Sequence, residues 1–149
     1  MPVIRAHLEM LADFERGFGP AKAVLAYGRQ LFPIIEEPNW LVFGAAKQCY
    51  KNAAHTLLHR DDVVYVEGYA IELDTPVPIQ HAWLLDQSNK VIDPTWVDSR
   101  NCAYFGVPFK GEFVKHVIRE TESWSGVLAD PNFMRREWAN EGIFQSLLR

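Results

Sequence analysis

His81-Ala82-Trp83-Leu84-Leu85-Asp86 and Lys90-Val91-Ile92-Asp93-Pro94-Thr95, joined by Gln87-Ser88-Asn89, read as two strands around a polar turn. Upstream, Val63 to Leu73 is a long run rich in β-branched and aromatic residues and reads as another strand. Before it, Gln48 to His59 reads as a helix, stopped by Asp61-Asp62. Helix, strand and hairpin in that order predict an antiparallel sheet with a helix packed on it, an α+β arrangement.

The hairpin brings two chemically useful side chains together. When the loop has an odd length, residues an even number apart share one face of the sheet. Pairing Leu85 with Asn89 sets His81 directly opposite Asp93, where Cβ atoms stand about 4.5 to 5.5 Å apart. A carboxylate at that distance can accept a hydrogen bond from the imidazole, hold its tautomer and support its protonated form. A slip of one residue would turn Asp93 to the other face.

Cys49 supplies a candidate nucleophile. A thiol attacks as its thiolate, which a helix N-terminus and a nearby imidazolium both favour. Cys49 stands near the start of its predicted helix, where backbone N–H groups without intrahelical acceptors could also hold an oxyanion. Taken singly each residue has a bland explanation: a buried apolar cysteine, a polar surface histidine, an aspartate ending a strand. Helix-borne Cys, strand-borne His and next-strand Asp in sequence make coincidence the weaker account.

His81-Ala82-Trp83-Leu84 followed by Val91-Ile92-Asp93-Pro94-Thr95 resembles the core signature of the transglutaminase-like superfamily. The resemblance runs from about residue 45 to 96 and places Cys49 as nucleophile, His81 as general base and Asp93 as orienting carboxylate. It implies a papain-like α+β fold and a cysteine-dependent acyl-transfer enzyme: a peptidase, an amidase or a transglutaminase-like acyltransferase, with a peptide, protein or small amide as substrate. No cofactor is implied. Gln48 and Tyr50 flank the cysteine, the nearest upstream tryptophan is Trp40, and no calcium-loop pattern is visible, so hydrolysis is the simpler expectation. The alternatives are a non-catalytic module on the same scaffold that binds a peptide or protein, and a Cys/His/Asp zinc site, which no CxxC spacing supports.

Around this centre, residues 5 to 32 show helical periodicity, with Leu8, Leu11, Phe14, Val24, Leu25, Leu31 and Phe32 as core positions. Gly17, Gly19 and Pro20 split the stretch into two helices. Glu112 to Glu122 reads as a helix facing inward with Phe113, Val117 and Ile118. Asp130-Pro131-Asn132 reads as the start of a last helix, Phe133 to Leu148. All 149 residues read as one domain.

Secondary candidates follow from position. Gln48 could donate to an oxyanion, and Asn39, Trp40 and Gln80 are weaker candidates for that role. Glu67 shares a strand face with Tyr65 and Tyr69; it reads as an exposed carboxylate that could also meet substrate or a supporting group. The opposite face, Val64, Val66, Gly68 and Ala70, is small enough for the Cys49 helix to pack there. Trp83 and Trp96 could screen the triad from water, and Tyr50 lies beside the nucleophile. His55 and His59 share a helix face, Cys102 reads as structural, and Tyr104 to Phe109 as a buried or cleft-lining segment.

The bulk properties restrict partners. A net charge of -4 and a pI near 5.7 oppose a nucleic-acid surface, and the one basic cluster, Arg135-Arg136, reads as a solvated helix face. No stretch approaches the roughly 20 apolar residues of a membrane span, and the N-terminus carries no apolar signal core. The expectation is a cytoplasmic protein with free thiols and no membrane or nucleic-acid partner.

Overall fold

The hydrophobic segment in mid-chain is paired on both sides. In the computed structural model, which describes residues 2–122, 124–128 and 141–149, β2 (Val64–Glu72) lies between β3 (Thr75–Leu85) and β5 (Cys102–Phe109), antiparallel to both. β4 (Lys90–Ile92) joins the far side of β3, and β1 (Arg29–Pro33) bridges β4 and β5. The strands close into a small barrel in the order β1-β4-β3-β2-β5, with β1–β4 as the parallel pair. Around it lie α1 (Pro2–Phe14), α2 (Pro20–Tyr27), α3 (Cys49–His59), α4 (Gly111–Thr121) and α5 (Glu141–Ser146). The architecture is α+β.

Closure explains why β2 is buried on both faces. Leu31, Val64, Val66, Ala70, Trp83, Leu85, Val91 and Tyr104 fill the barrel, while Tyr65, Tyr69, Ala82, Leu84, Val107 and Phe109 meet the helices outside. The Cys49 helix therefore packs on the Tyr65/Tyr69 face, not on the small face as expected. On β2 the narrow interior takes the smaller side chains, Val64, Val66 and Ala70, and leaves Tyr65 and Tyr69 outside. Room for Trp83 comes from Gly106, paired with Gly68. A Cβ at Gly106 would stand 2.7 Å from the indole, and one at Gly68 2.2 Å from the Phe105 carbonyl oxygen.

The N-terminal expectation is corrected after residue 27. The Gly28 N–H bonds the Val24 carbonyl at 2.8 Å and ends α2, so Leu31 and Phe32 belong to β1. Strand alternation buries Leu31 inside the barrel and leaves Phe32 55% exposed; Phe14, expected in the core, is 81% exposed at the end of α1. On α4, Val114 is the fully buried residue, with Phe113, Val117 and Ile118 half-buried. Of the expected last helix, α5 is described and Leu148 forms a bridge with Phe109. Asp130, Pro131 and Arg135-Arg136 lie outside the described residues.

The hairpin register also differs from expectation. Leu85 pairs with Val91 and Leu84 with Ile92, so Gln87-Ser88-Asn89 is the loop and Asp93 lies diagonal to His81. The shift preserves parity, which keeps both residues on one face. Asp86 sets the loop: its carboxylate accepts the Ser88 and Lys90 N–H groups, and Asn89 takes φ 61. Among the described residues no helix is long and apolar enough to cross a membrane.

Candidate active site

Asp93 follows β4 directly and is 2% exposed. One carboxylate oxygen, Oδ1, accepts the N–H groups of Thr95 (2.9 Å) and Trp96 (3.0 Å), closing the turn that Pro94 pre-sets. The other, Oδ2, accepts the Tyr104 hydroxyl at 2.8 Å and His81 Nε2 at 2.7 Å. Four bonds fix this carboxylate, and it in turn fixes the imidazole. His81 is itself 2% exposed, and Trp96 stacks on its ring at 4.2 Å between centroids, 24° from parallel. A flat aromatic face at that distance suits a protonated imidazole.

Burial alone would lower the His81 pKa. The hydrogen bond to Asp93, the nearby Cys49 thiol and the charge of Asp93 outweigh it and raise the pKa from 6.5 to about 9. His81 is thus an imidazolium at neutral pH. Because Nε2 is committed to Asp93, Nδ1 is the atom left to meet the Cys49 thiol.

Cys49 is the first residue of α3, as its sequence context predicts, and is 9% exposed. Lys47, at φ 64, turns the chain into the helix, and Gln48 at the cap position makes no side-chain capping bond. The first-turn N–H groups of α3 therefore have no intrahelical acceptors. The loop before Cys49 is laced to the Asp93 turn: the Gly44 N–H bonds the Pro94 carbonyl at 2.8 Å. Asn52, one turn into α3, gives its amide to Ala45 O (3.0 Å) and Thr95 Oγ1 (2.9 Å). These bonds hold the helix start against the hairpin end.

The secondary candidates separate. Gln48 is exposed beside Cys49, and Tyr50 is half-buried, its hydroxyl held protonated by burial and the Glu67 and Cys49 charges. Trp96 covers one face of His81. Trp83 lies 6.0 Å from the His81 ring between centroids, 25° from parallel, and is fully buried in the barrel, its indole Nε1 without a hydrogen-bond partner among the described residues. Glu67 is not an exposed carboxylate either, being 1% exposed. It accepts the Tyr65 hydroxyl (2.7 Å) and the N–H groups of Val127 (2.7 Å) and Leu128 (2.8 Å), pinning the 124–128 segment outside the barrel. The reason is closure again, since the outer face of β2 is covered by helices and this segment. Of the weaker candidates, Asn39 is exposed, Gln80 is paired across the sheet with Tyr69, and Trp40 packs under Arg60.

Sequence reading missed Tyr104 as a partner of Asp93, and Asn52 and Thr95 as the lacing pair. The signals were slight: a tyrosine in a segment read only as cleft-lining, and an asparagine one turn after the cysteine. Cys102, by contrast, is held apart from reactivity, burial and the Asp93 charge pushing its pKa up to about 12.

Two clefts flank the lacing. A groove of about 460 Å³ runs between α3 and the 40–44 segment, bordered by Gly44 and the lacing residue Asn52. A smaller one of about 260 Å³ opens at Thr95 and Trp96, with Glu72, Asp74 and Asp98 on its walls. Among the described residues, no three His, Cys, Asp or Glu side chains are grouped to hold a metal ion. No protein-family model, curated protein or solved structure matches this chain.

Proposed function

We propose that Cys49, His81 and Asp93 are the triad of a cysteine-dependent acyl-transfer enzyme, of transglutaminase-like or papain-like kind, that hydrolyses an amide or peptide bond. The observation that carries the proposal is the buried 2.7 Å bond between His81 and Asp93, with Cys49 at the first position of α3 and close enough to help raise the His81 pKa.

In the resting state His81 holds the proton and Cys49 attacks as thiolate. Its sulfur adds to the substrate carbonyl carbon, and the oxyanion is held by first-turn N–H groups of α3. His81 then donates its proton to the amine, the C–N bond breaks, and a thioester remains on Cys49. Water enters, gives a proton to His81 and adds to the thioester. The acid leaves as the C–S bond breaks, restoring thiolate and imidazolium. Asp93 accepts from Nε2 throughout, so Nδ1 always faces the thiol and substrate. Buried Tyr104, its hydroxyl held protonated by burial and the Asp93 charge, serves the carboxylate as a permanent donor.

The test is alkylation with iodoacetamide at pH 6 in wild type, Cys49→Ala and His81→Ala. The expected result is rapid modification at Cys49 that slows at least about tenfold in His81→Ala. A thiol no faster than free cysteine would leave a binding module on the same scaffold as the better account.

A further inference from the structure

The groove beside α3 is built from one helix face and one loop. Asn52, His55, Thr56 and His59 form the helix wall, and Trp40 to Gly44 with Arg60 the other. Gly44 lets the walls meet, since a Cβ there would stand 2.0 Å from the Asn52 amide oxygen. Several of its polar groups already have partners inside the protein. The Asn52 amide nitrogen serves Ala45 and Thr95, and the Thr56 hydroxyl bonds the Asn52 carbonyl at 3.2 Å. Arg60 gives Nε and Nη2 to Asp62 at 2.8 and 2.7 Å, while its guanidinium lies 4.0 Å over the Trp40 ring. What remains for a ligand is the aromatic and apolar surface of Trp40, Val42 and Phe43, beside the rings of His55 and His59, packed edge to face at 4.6 Å.

Position decides which part of a substrate would sit here. Asn52 is three residues along α3 from Cys49, about 4.5 Å of rise. The Asn52–Thr95 bond separates the groove from the smaller cleft, whose Trp96 stacks on His81. His81 hands its proton to the departing amine, so the amine belongs on the Trp96 side and the acyl portion on the groove side. A volume of about 460 Å³ accommodates a large ring.

Building on the acyl-transfer reading, we propose that this groove is the acyl-side subsite and selects donors carrying a bulky apolar or aromatic side chain. The experiment uses the full chain and two series of fluorogenic amides. One varies the acyl side chain (Ala, Leu, Phe, Asp) with a common coumarin amine; the other keeps the acyl part and varies the amine. Leu and Phe donors should exceed Ala by at least about tenfold in kcat/KM, with Asp lowest. Val42 is 79% exposed on the groove wall, so Val42→Glu keeps the fold; it should cut the Phe-to-Ala ratio to below about threefold. His55→Glu should act the same way, and neither should alter ratios in the amine series. Equal rates for Ala and Phe donors, or ratios that move only in the amine series, overturn the groove assignment alone. No acyl-enzyme with any donor and no fast alkylation of Cys49 overturn the acyl-transfer reading with it.

Discussion

Replacing Asp93 by asparagine isolates the charge that holds His81 protonated. The side chain keeps its shape and its Oδ1 bonds to Thr95 and Trp96, but Oδ2 becomes an N–H₂ facing two donors, His81 Nε2 and the Tyr104 hydroxyl. An imidazolium no longer fits there, and burial then favours the neutral ring. Raising the His81 pKa from 6.5 to about 9 corresponds to about 3 kcal/mol favouring the protonated folded state. The folded pKa lies above the unfolded one. The stabilisation is therefore complete below pH 6.5 and is lost as pH rises through about 9. The difference in stability between wild type and Asp93→Asn should shrink by about 3 kcal/mol between pH 6 and pH 10, or about 6 to 12 °C in Tm for a chain of this length. Thermal melts of both proteins across that range measure it, and NMR of the His81 ring reads the titration directly. Cys49→Ala should show a smaller swing, because the thiol contributes to the shift. A stability gap independent of pH, or a His81 ring that titrates near 6.5 in wild type, would refute the reasoning.

Further outcomes follow from the same structure. Peptide mapping after alkylation at pH 6 should find Cys49 modified and Cys102 untouched, since Cys102 is buried with its pKa pushed up to about 12; Cys102 should react only once the protein is unfolded. Glu67→Ala leaves the Tyr65 O–H donor and two backbone N–H groups without their acceptor, and should lower stability by about 3 kcal/mol in urea titration. The same variant should be cut faster by chymotrypsin within 124–128; unchanged protection there would remove Glu67 from its pinning role. Gly106→Ala drives a Cβ to 2.7 Å from the Trp83 ring and should cost about 2 kcal/mol or more, whereas Gly17→Ala, with nothing within 4 Å, should leave the urea midpoint unchanged.

Local chemistry was enough to place several elements. Cys49 at a helix start, the Gln87-Ser88-Asn89 turn and the run from Val64 to Glu72 each follow from short-range pattern, and each stands where that pattern put it. The shared face of His81 and Asp93 was also legible, because side-chain parity survives a register change of two. The direct opposition was not, since which pair closes the loop depends on Asp86 bonding the backbone of Ser88 and Lys90.

What sequence could not decide is how far each face is buried. The alternation on β2 told its two faces apart but not which one meets α3, and Glu67 was assigned to water on that account. Only closure of the barrel covers both faces, because β1 must join β4 to β5 across a gap of many residues. That pairing also took Leu31 and Phe32 from helix to strand. The same closure brings Tyr104 of β5 onto Asp93 and sets Trp83 against Gly106, contacts carried by no local period. Sequence by itself therefore singled out Cys49, His81 and Asp93 and gave their order along the chain. The tertiary structure decided which of them are buried, which partners hold them, and which grooves lead to them, because burial and hydrogen-bond satisfaction are properties of the closed sheet and not of any one strand.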